Sequence, residues 1–266
     1  MADDIALRVA ESGMVFSATM PTNQREFYNA RSGFYDSQMA IPKRVARQVI
    51  INGFYHDNLS KFIGITPISY LDAACGTGTA TAQFVKGLES YAKLKEIFAI
   101  DISDEMVKLA SGNLPSFQVM QGDMANLPFN DKFGLITILF HGLGHLSDES
   151  LRACFESMKK SLKPGGYACF DVIKRFSVGE QGYTVEDERA GRNFLCYRTL
   201  GPDGKILTDG KSNILIGTDR LFTVEEMEHL AKSSGLEVAA LREFRITNPD
   251  PKVGHLNEIA AIVKKK

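Results

Sequence analysis

The 266-residue chain has no excess of either charge: 31 Lys and Arg stand against 32 Asp and Glu, for a formal net charge of −1. With no block of like charge either, it lacks the electrostatic footprint of a nucleic-acid or anionic-membrane binder. No stretch reaches the ~18 consecutive apolar residues of a spanning helix, because glycines and histidines interrupt FGLITILFHGLGHL. The start, MADDIALRVAESG, carries Asp3, Asp4 and Glu11 where a secretory leader needs a basic end and then an apolar run. Cysteines are few. Cys75, Cys154, Cys169 and Cys196 form no CxxC pair, which argues against a zinc or disulfide framework and predicts small buried residues in a reducing compartment. The expectation is a soluble, cytoplasmic protein.

The length corresponds to about one and a half average domains, so one α/β core with an insertion or cap is expected. Residues 1–66 read as a helical lid or lead-in: Pro42 suits a first helical turn, and Val45, Val49 and Ile50 place apolar groups on one face. From Ile68, over 67–173, short apolar runs (ISYLDAA, EIFAID, FQVMQGD, FGLITILF, GGYACFDVI) alternate with amphipathic stretches. That alternation predicts a doubly wound, mainly parallel sheet, whose central strands are buried on both faces. Ser103 and Ser147 are predicted helix caps, with acids in the turns that follow. Residues 174–220 turn polar and glycine-rich around Gly201-Pro202-Asp203-Gly204 and predict an inserted antiparallel hairpin. Residues 221–266 resume the core, with a capping box at Thr223 and Glu226 and a helix stop at Gly235. Lys264 to Lys266 read as a solvated tail.

The chemistry concentrates at strand ends. LDAACGTG puts Asp72 and a small-residue turn before a helix, where glycines let a ligand approach the backbone. The dinucleotide pattern G-x-G-x-x-G/A fails, since Gly76 and Gly78 are followed by Thr81. An acid before the turn suits a ligand carrying an ammonium group. Asp101, 23 residues after Gly78, can accept both hydroxyls of a ribose. Asp123 can accept from an adenine amino group. Three acids at successive strand ends match a ligand with an amino acid at one end and adenosine at the other, which is S-adenosylmethionine.

In order and spacing, LDAACGTGTA, FAIDISDEMVKLA, QGDMANLPF, FGLITILFHGLGHL and SLKPGGY resemble the successive motifs of class I S-adenosylmethionine-dependent methyltransferases, over roughly residues 68–173. The resemblance implies a seven-stranded Rossmann-like sheet with the cofactor across the strand ends. It places Ala74, Gly76 and Gly78 along the methionine part, Asp72 in support, Asp101 on the ribose, and Ile102 and Met106 against adenine. Asp123 would meet the adenine amino group with Met124 beside it, and Phe140 would approach from the fourth strand. Two departures stand out: Ala74 where the family often has glycine, and Gly134 where FD is usual. RSGFYDSQMAIPKR resembles the lid of small-molecule members, with Tyr35, and secondarily Arg44, toward the cofactor carboxylate.

A sulfonium is an activated methyl donor, so the protein must mainly align a nucleophile and exclude water. No metal is required by this chemistry. His141 and His145 follow the fourth strand at the correct rim for a general base, although each also suits a purely supporting hydrogen-bonded role. Asp171 reads as a loop cap. The function predicted is methyl transfer to an N or O nucleophile of a small molecule, with a homodimer compatible with the hairpin. Methylation of a macromolecule is the alternative within the class, and a nicotinamide-dependent oxidoreductase the alternative outside it.

Overall fold

The computed structural model describes residues 23–40, 42–64, 66–175, 185–187, 192–198, 216–246 and 256–266. From residue 23 the lead-in is helical, with α1 (Gln24–Arg31), α2 (Tyr35–Met39) and α3 (Pro42–Phe62); residues 1–22 of the expected lead-in lie outside the described residues. The apolar runs then form β1 (Ile68–Asp72), β2 (Leu94–Asp101), β3 (Gln118–Gln121), β4 (Phe133–Ile138) and β5 (Leu162–Ile173). Between them lie α4 (Thr79–Leu88), α5 (Asp104–Asn113) and α6 (Asp148–Ser161). The insertion contributes β6 (Val185–Asp187), β7 (Arg192–Arg198) and β8 (Ile216–Arg220), and α7 (Val224–Ser233), β9 (Leu236–Ile246) and β10 (Leu256–Lys265) complete the core.

The seven strands run in the order β3-β2-β1-β4-β5-β10-β9. The first five are parallel, and β10 pairs antiparallel with both β5 and β9. Side chains alternate between two apolar layers, as strands covered on both faces require. Tyr70, Leu135 and Cys169 pack with Ile51 and Tyr55 of α3, whereas Leu71, Ile136 and Phe170 pack toward Phe155 of α6. The order reverses between β1 and β4, which leaves a crevice at their carboxyl ends.

Local signals match their elements. Ser103 accepts from Met106 N and Ser147 from Ser150 N, and the Thr223–Glu226 capping box is formed. Two expectations are corrected. Val45, Val49 and Ile50 are exposed, at 50%, 68% and 42%; the inward face of α3 is instead Arg47, Ile51, Tyr55 and Leu59. Lys264 and Lys265 belong to β10 rather than to a tail, and Lys265 Nζ reaches Asp131 and the Leu162 carbonyl. The inserted hairpin is β7 with β8, extended by β6 to three antiparallel strands; the turn at 201–204 lies outside the described residues. Cys75, Cys154 and Cys169 are buried free thiols, and the Cys196 side chain also lies outside the description.

Gly78 caps α4 at φ +84, and a Cβ there would lie 2.7 Å from Leu114 Cγ. Gly78→Ala therefore combines a left-handed backbone with overpacking, each of which costs about 1–2 kcal/mol or more. Urea denaturation should show a loss of about 2–5 kcal/mol.

Candidate active site

The loop after β1 is shaped by its acids. Asp72, 1% exposed, accepts from Ala74 N at 3.3 Å and from Thr81 Oγ1 at 2.7 Å. Burial pushes its carboxyl up to about 7, against the pull of those two hydrogen bonds. At the end of β2, Asp101 accepts from Gly76 N at 2.8 Å and from Ser103 N at 2.9 Å, tying the loop to the neighbouring strand. Burial raises this carboxyl too, partly offset by the backbone donors. Asp123 accepts from Ala125 N at 2.8 Å and starts the short turn Met124–Asn126.

All three acids open onto one cavity of about 750 Å³, within the ~300–1,000 Å³ usual for ligand sites. Ala74 and Gly76 line it; a Cβ on Gly76 (φ +53) would meet nothing within 4 Å, so the turn faces open cleft. Ile102, Met106 and Met124 give it apolar lining, with Ile102 standing 42% exposed, and Phe140 and Tyr35 line it as well. Carboxylates for hydroxyl and amino donors, set between apolar walls, fit a nucleoside. Burial raises the Tyr35 hydroxyl, with Arg31 and Arg44 opposing.

Two assigned residues lie elsewhere. Gly78 does not line the cavity; it is needed for the turn and for packing on Leu114. His141 does not line it either. Its Nε2 lies 2.6 Å from Glu258 Oε2 and 2.7 Å from Arg47 Nη2, so the ring faces a buried charge cluster rather than an acceptor. The reason is the backbone: Phe140 and His141 both take left-handed φ, +55 and +63, turning successive side chains apart. Asp171 accepts from Phe140 N and His141 N at 3.3 and 3.1 Å, the loop cap expected of it.

That cluster was missed by sequence reasoning. Arg47, 1% exposed, donates to Glu258 at 2.8 and 2.7 Å and to Asp171, and its guanidinium lies 4.7 Å from the Phe140 ring centroid. His141, Asp171 and Glu258 are close enough together to hold a metal ion, but the Arg47 guanidinium already supplies the cation among them. Burial alone would raise the Glu258 carboxyl; Arg47 and His141 reverse that and hold it at about 2. A signal existed, because Arg47 is one turn before Ile51 on the helix face of Tyr55 and Leu59, and Glu258 falls on the strand face of Ala260 and Ile262.

His145 does line the cavity, with Tyr28 of α1 beside it. The Tyr28 hydroxyl is 2.7 Å from His145 Nε2, and Asp219 of β8 is 3.4 Å from Nδ1. Tyr28 and Asp219 also escaped the sequence reading. The lead-in is fixed over the rim by Asn29, which bonds Asp104 and Ser103, and by Asp36, which accepts from Thr77 Oγ1 at 2.6 Å and Thr79 Oγ1 at 3.2 Å.

A doubly wound sheet with acids at three adjacent strand ends and a covered cleft defines an enzyme that holds a nucleoside joined to an amino acid. Residues 71–166 match the family described as a methyltransferase domain. A dTDP-3-amino-3,4,6-trideoxy-α-D-glucopyranose N,N-dimethyltransferase of Streptomyces venezuelae is 35% identical over 192 residues, 65% of this chain and 77% of that protein. A demethylmenaquinone methyltransferase of Staphylococcus carnosus is 34% identical over 43% of this chain and 48% of its own length. The fold is shared with the 1,6-didemethyltoxoflavin-N1-methyltransferase of Burkholderia thailandensis, solved with 1,6-didemethyltoxoflavin and S-adenosylhomocysteine (TM-score 0.57, 17% identity, 95% of each chain). The chain belongs to the class I S-adenosylmethionine-dependent methyltransferases. It is a methyltransferase enzyme, and among the described residues no helix is long and apolar enough to cross a membrane.

Proposed function

We propose that the acceptor atom is an amine nitrogen, presented at the end of the cavity lined by Tyr28, Tyr35 and His145. The observation that carries this reading is that a single cavity joins the three rim acids to His145. The N,N-dimethyltransferase name of the Streptomyces venezuelae relative supports it. When bound, S-adenosylmethionine supplies an activated methyl group. Asp101 accepts the two ribose hydroxyls and Asp123 the adenine amino group, while Ile102, Met106 and Met124 exclude water from the base. Ala74 and Gly76 line the methionine part beneath Tyr35 and Phe140, and Asp72 supports the ammonium end. His145 is the base, because it has the cavity exposure that His141 lacks. Free buried thiols fit a cytoplasmic location.

Thermal shift tests the cofactor: S-adenosylhomocysteine at about 100 times its Kd should stabilise the fold by about 2.7 kcal/mol. Stabilisation by NAD instead would overturn the assignment. Labelled methyl from S-adenosylmethionine should appear on dTDP-3-amino-3,4,6-trideoxy-α-D-glucopyranose or on simple alkyl amines. Label confined to RNA or protein would favour a macromolecular acceptor.

A further inference from the structure

The three side chains that meet at the acceptor end of the cavity come from three separate parts of the chain. Tyr28 is on the lead-in helix, His145 follows β4, and Asp219 is on the inserted sheet. Tyr28 and His145 line the cavity, and Asp219, 8% exposed, lies behind the imidazole. The contacts run in series: Tyr28 hydroxyl to His145 Nε2 at 2.7 Å, then His145 Nδ1 to Asp219 Oδ1 at 3.4 Å. The second contact has ion-pair distance without hydrogen-bond alignment, and Asp219 Oδ1 takes no hydrogen bond among the described residues. Such contacts are often long in unliganded sites and tighten when substrate is present. Room for this approach is built into the chain: a Cβ on Gly144 would lie 3.0 Å from Asp219 Oδ1.

Resting on the amine reading above, we propose that Tyr28, His145 and Asp219 form a proton relay between the acceptor and the inserted sheet. Tyr28 is the catalytic residue that meets the acceptor nitrogen, and Asp219 is a positioning residue that acts through His145. An alkyl amine reaches the site largely as its ammonium, which has no lone pair with which to attack. Its N–H proton passes to the Tyr28 oxygen as the Tyr28 hydroxyl proton passes to His145 Nε2. The products are a neutral amine, an intact tyrosine and an imidazolium. The freed lone pair then forms the N–CH₃ bond as the C–S bonding pair returns to sulfur, leaving a thioether and a methylated ammonium. For Nε2 to accept, Nδ1 must carry the other proton, and the Asp219 carboxylate selects that tautomer.

A pin that merely holds the lid would predict different results. Among the described residues, the groups facing the relay include Arg31, over the Tyr28 and Tyr35 rings at 5.7 and 5.1 Å, together with Tyr35, Arg44 and Asp101. The variants below leave all of these in place. With dTDP-3-amino-3,4,6-trideoxy-α-D-glucopyranose as probe, Tyr28→Phe and Asp219→Asn should each lower kcat by about 10²-fold at neutral pH. Calorimetric Kd for S-adenosylhomocysteine should stay within about threefold, since the relay residue that acts on the rim acid Asp101 is His145, which both variants keep. The deficit should shrink by about pH 9.5, where more of the amine is already neutral. Imidazole ¹⁵N shifts of the unliganded protein should show His145 protonated at Nδ1, and Asp219→Asn should lose that preference. Turnover within threefold of wild type in both variants, or a deficit that does not change with pH, overturns the relay. An Nε2-protonated His145 in wild type overturns it as well. If wild type labels no amine, the amine reading fails instead, and the tautomer measurement still decides whether Asp219 orients His145.

Discussion

Replacing Arg47 with alanine should lower the unfolding free energy by about 3–5 kcal/mol, the usual consequence of removing one partner from a buried charge cluster. The substitution strands Asp171 and Glu258, 1% and 0% exposed, beside His141 without the guanidinium that pairs with both. It also removes the guanidinium that packs on Phe140. The loss should depend on pH with a defined sign. Glu258 has a folded-state value of about 2 against an ordinary 4.5, so its contribution is fully present above pH 4.5 and is lost as pH falls toward about 2. Urea titrations at pH 7 and pH 3 should therefore show a gap between wild type and Arg47→Ala that narrows on acidification. The double variant Arg47→Met with Glu258→Gln should recover part of the loss, because one uncompensated charge is gone. An Arg47→Ala protein as stable as wild type at pH 7 would mean that the cluster is not held by charge.

How far the sequence was legible depended on whether a feature was local. The strand ends were: β1 and β2 each run through apolar residues to an acid at the last position, β3 is followed by one two residues beyond its end, and Asp72, Asp101 and Asp123 share one cleft. Helix caps were legible for the same reason, since Ser103, Ser147 and Thr223 bond to residues three positions on. Features that join distant segments were not. Arg47 and Glu258 are 211 residues apart, and only the register of β10 beside β5, with α3 across them, brings the two together. Tyr28 and Asp219 meet His145 through the same kind of tertiary assembly. The inverted face of α3 was misread because hydrophobicity alone decided it: a buried arginine with two carboxylates outranks three valine and isoleucine side chains left at the surface. The division between His141 and His145 was likewise invisible, because two left-handed residues in succession leave no mark in composition.

Asp101→Ala should weaken S-adenosylhomocysteine binding by tens-fold or more, corresponding to about 2–4 kcal/mol for lost charge-assisted contacts in a buried site. The carboxylate is already held by Gly76 N and Ser103 N at 2.8 and 2.9 Å. Two backbone donors leave acceptor capacity on both oxygens, so a pair of ribose hydroxyls can add to this arrangement without displacing it. Because the same donors anchor the loop after β1, the alanine variant alone mixes two effects: a missing ligand contact and a slackened loop. A double-mutant cycle separates them. Calorimetry with S-adenosylhomocysteine and with its 2′-deoxy analogue, on wild type and on Asp101→Ala, measures the coupling between the carboxylate and the hydroxyl. Wild type should discriminate strongly between the two ligands, and the variant should bind both equally weakly. If the 2′-hydroxyl matters as much in the variant as in wild type, Asp101 supports the loop and a different group holds the ribose.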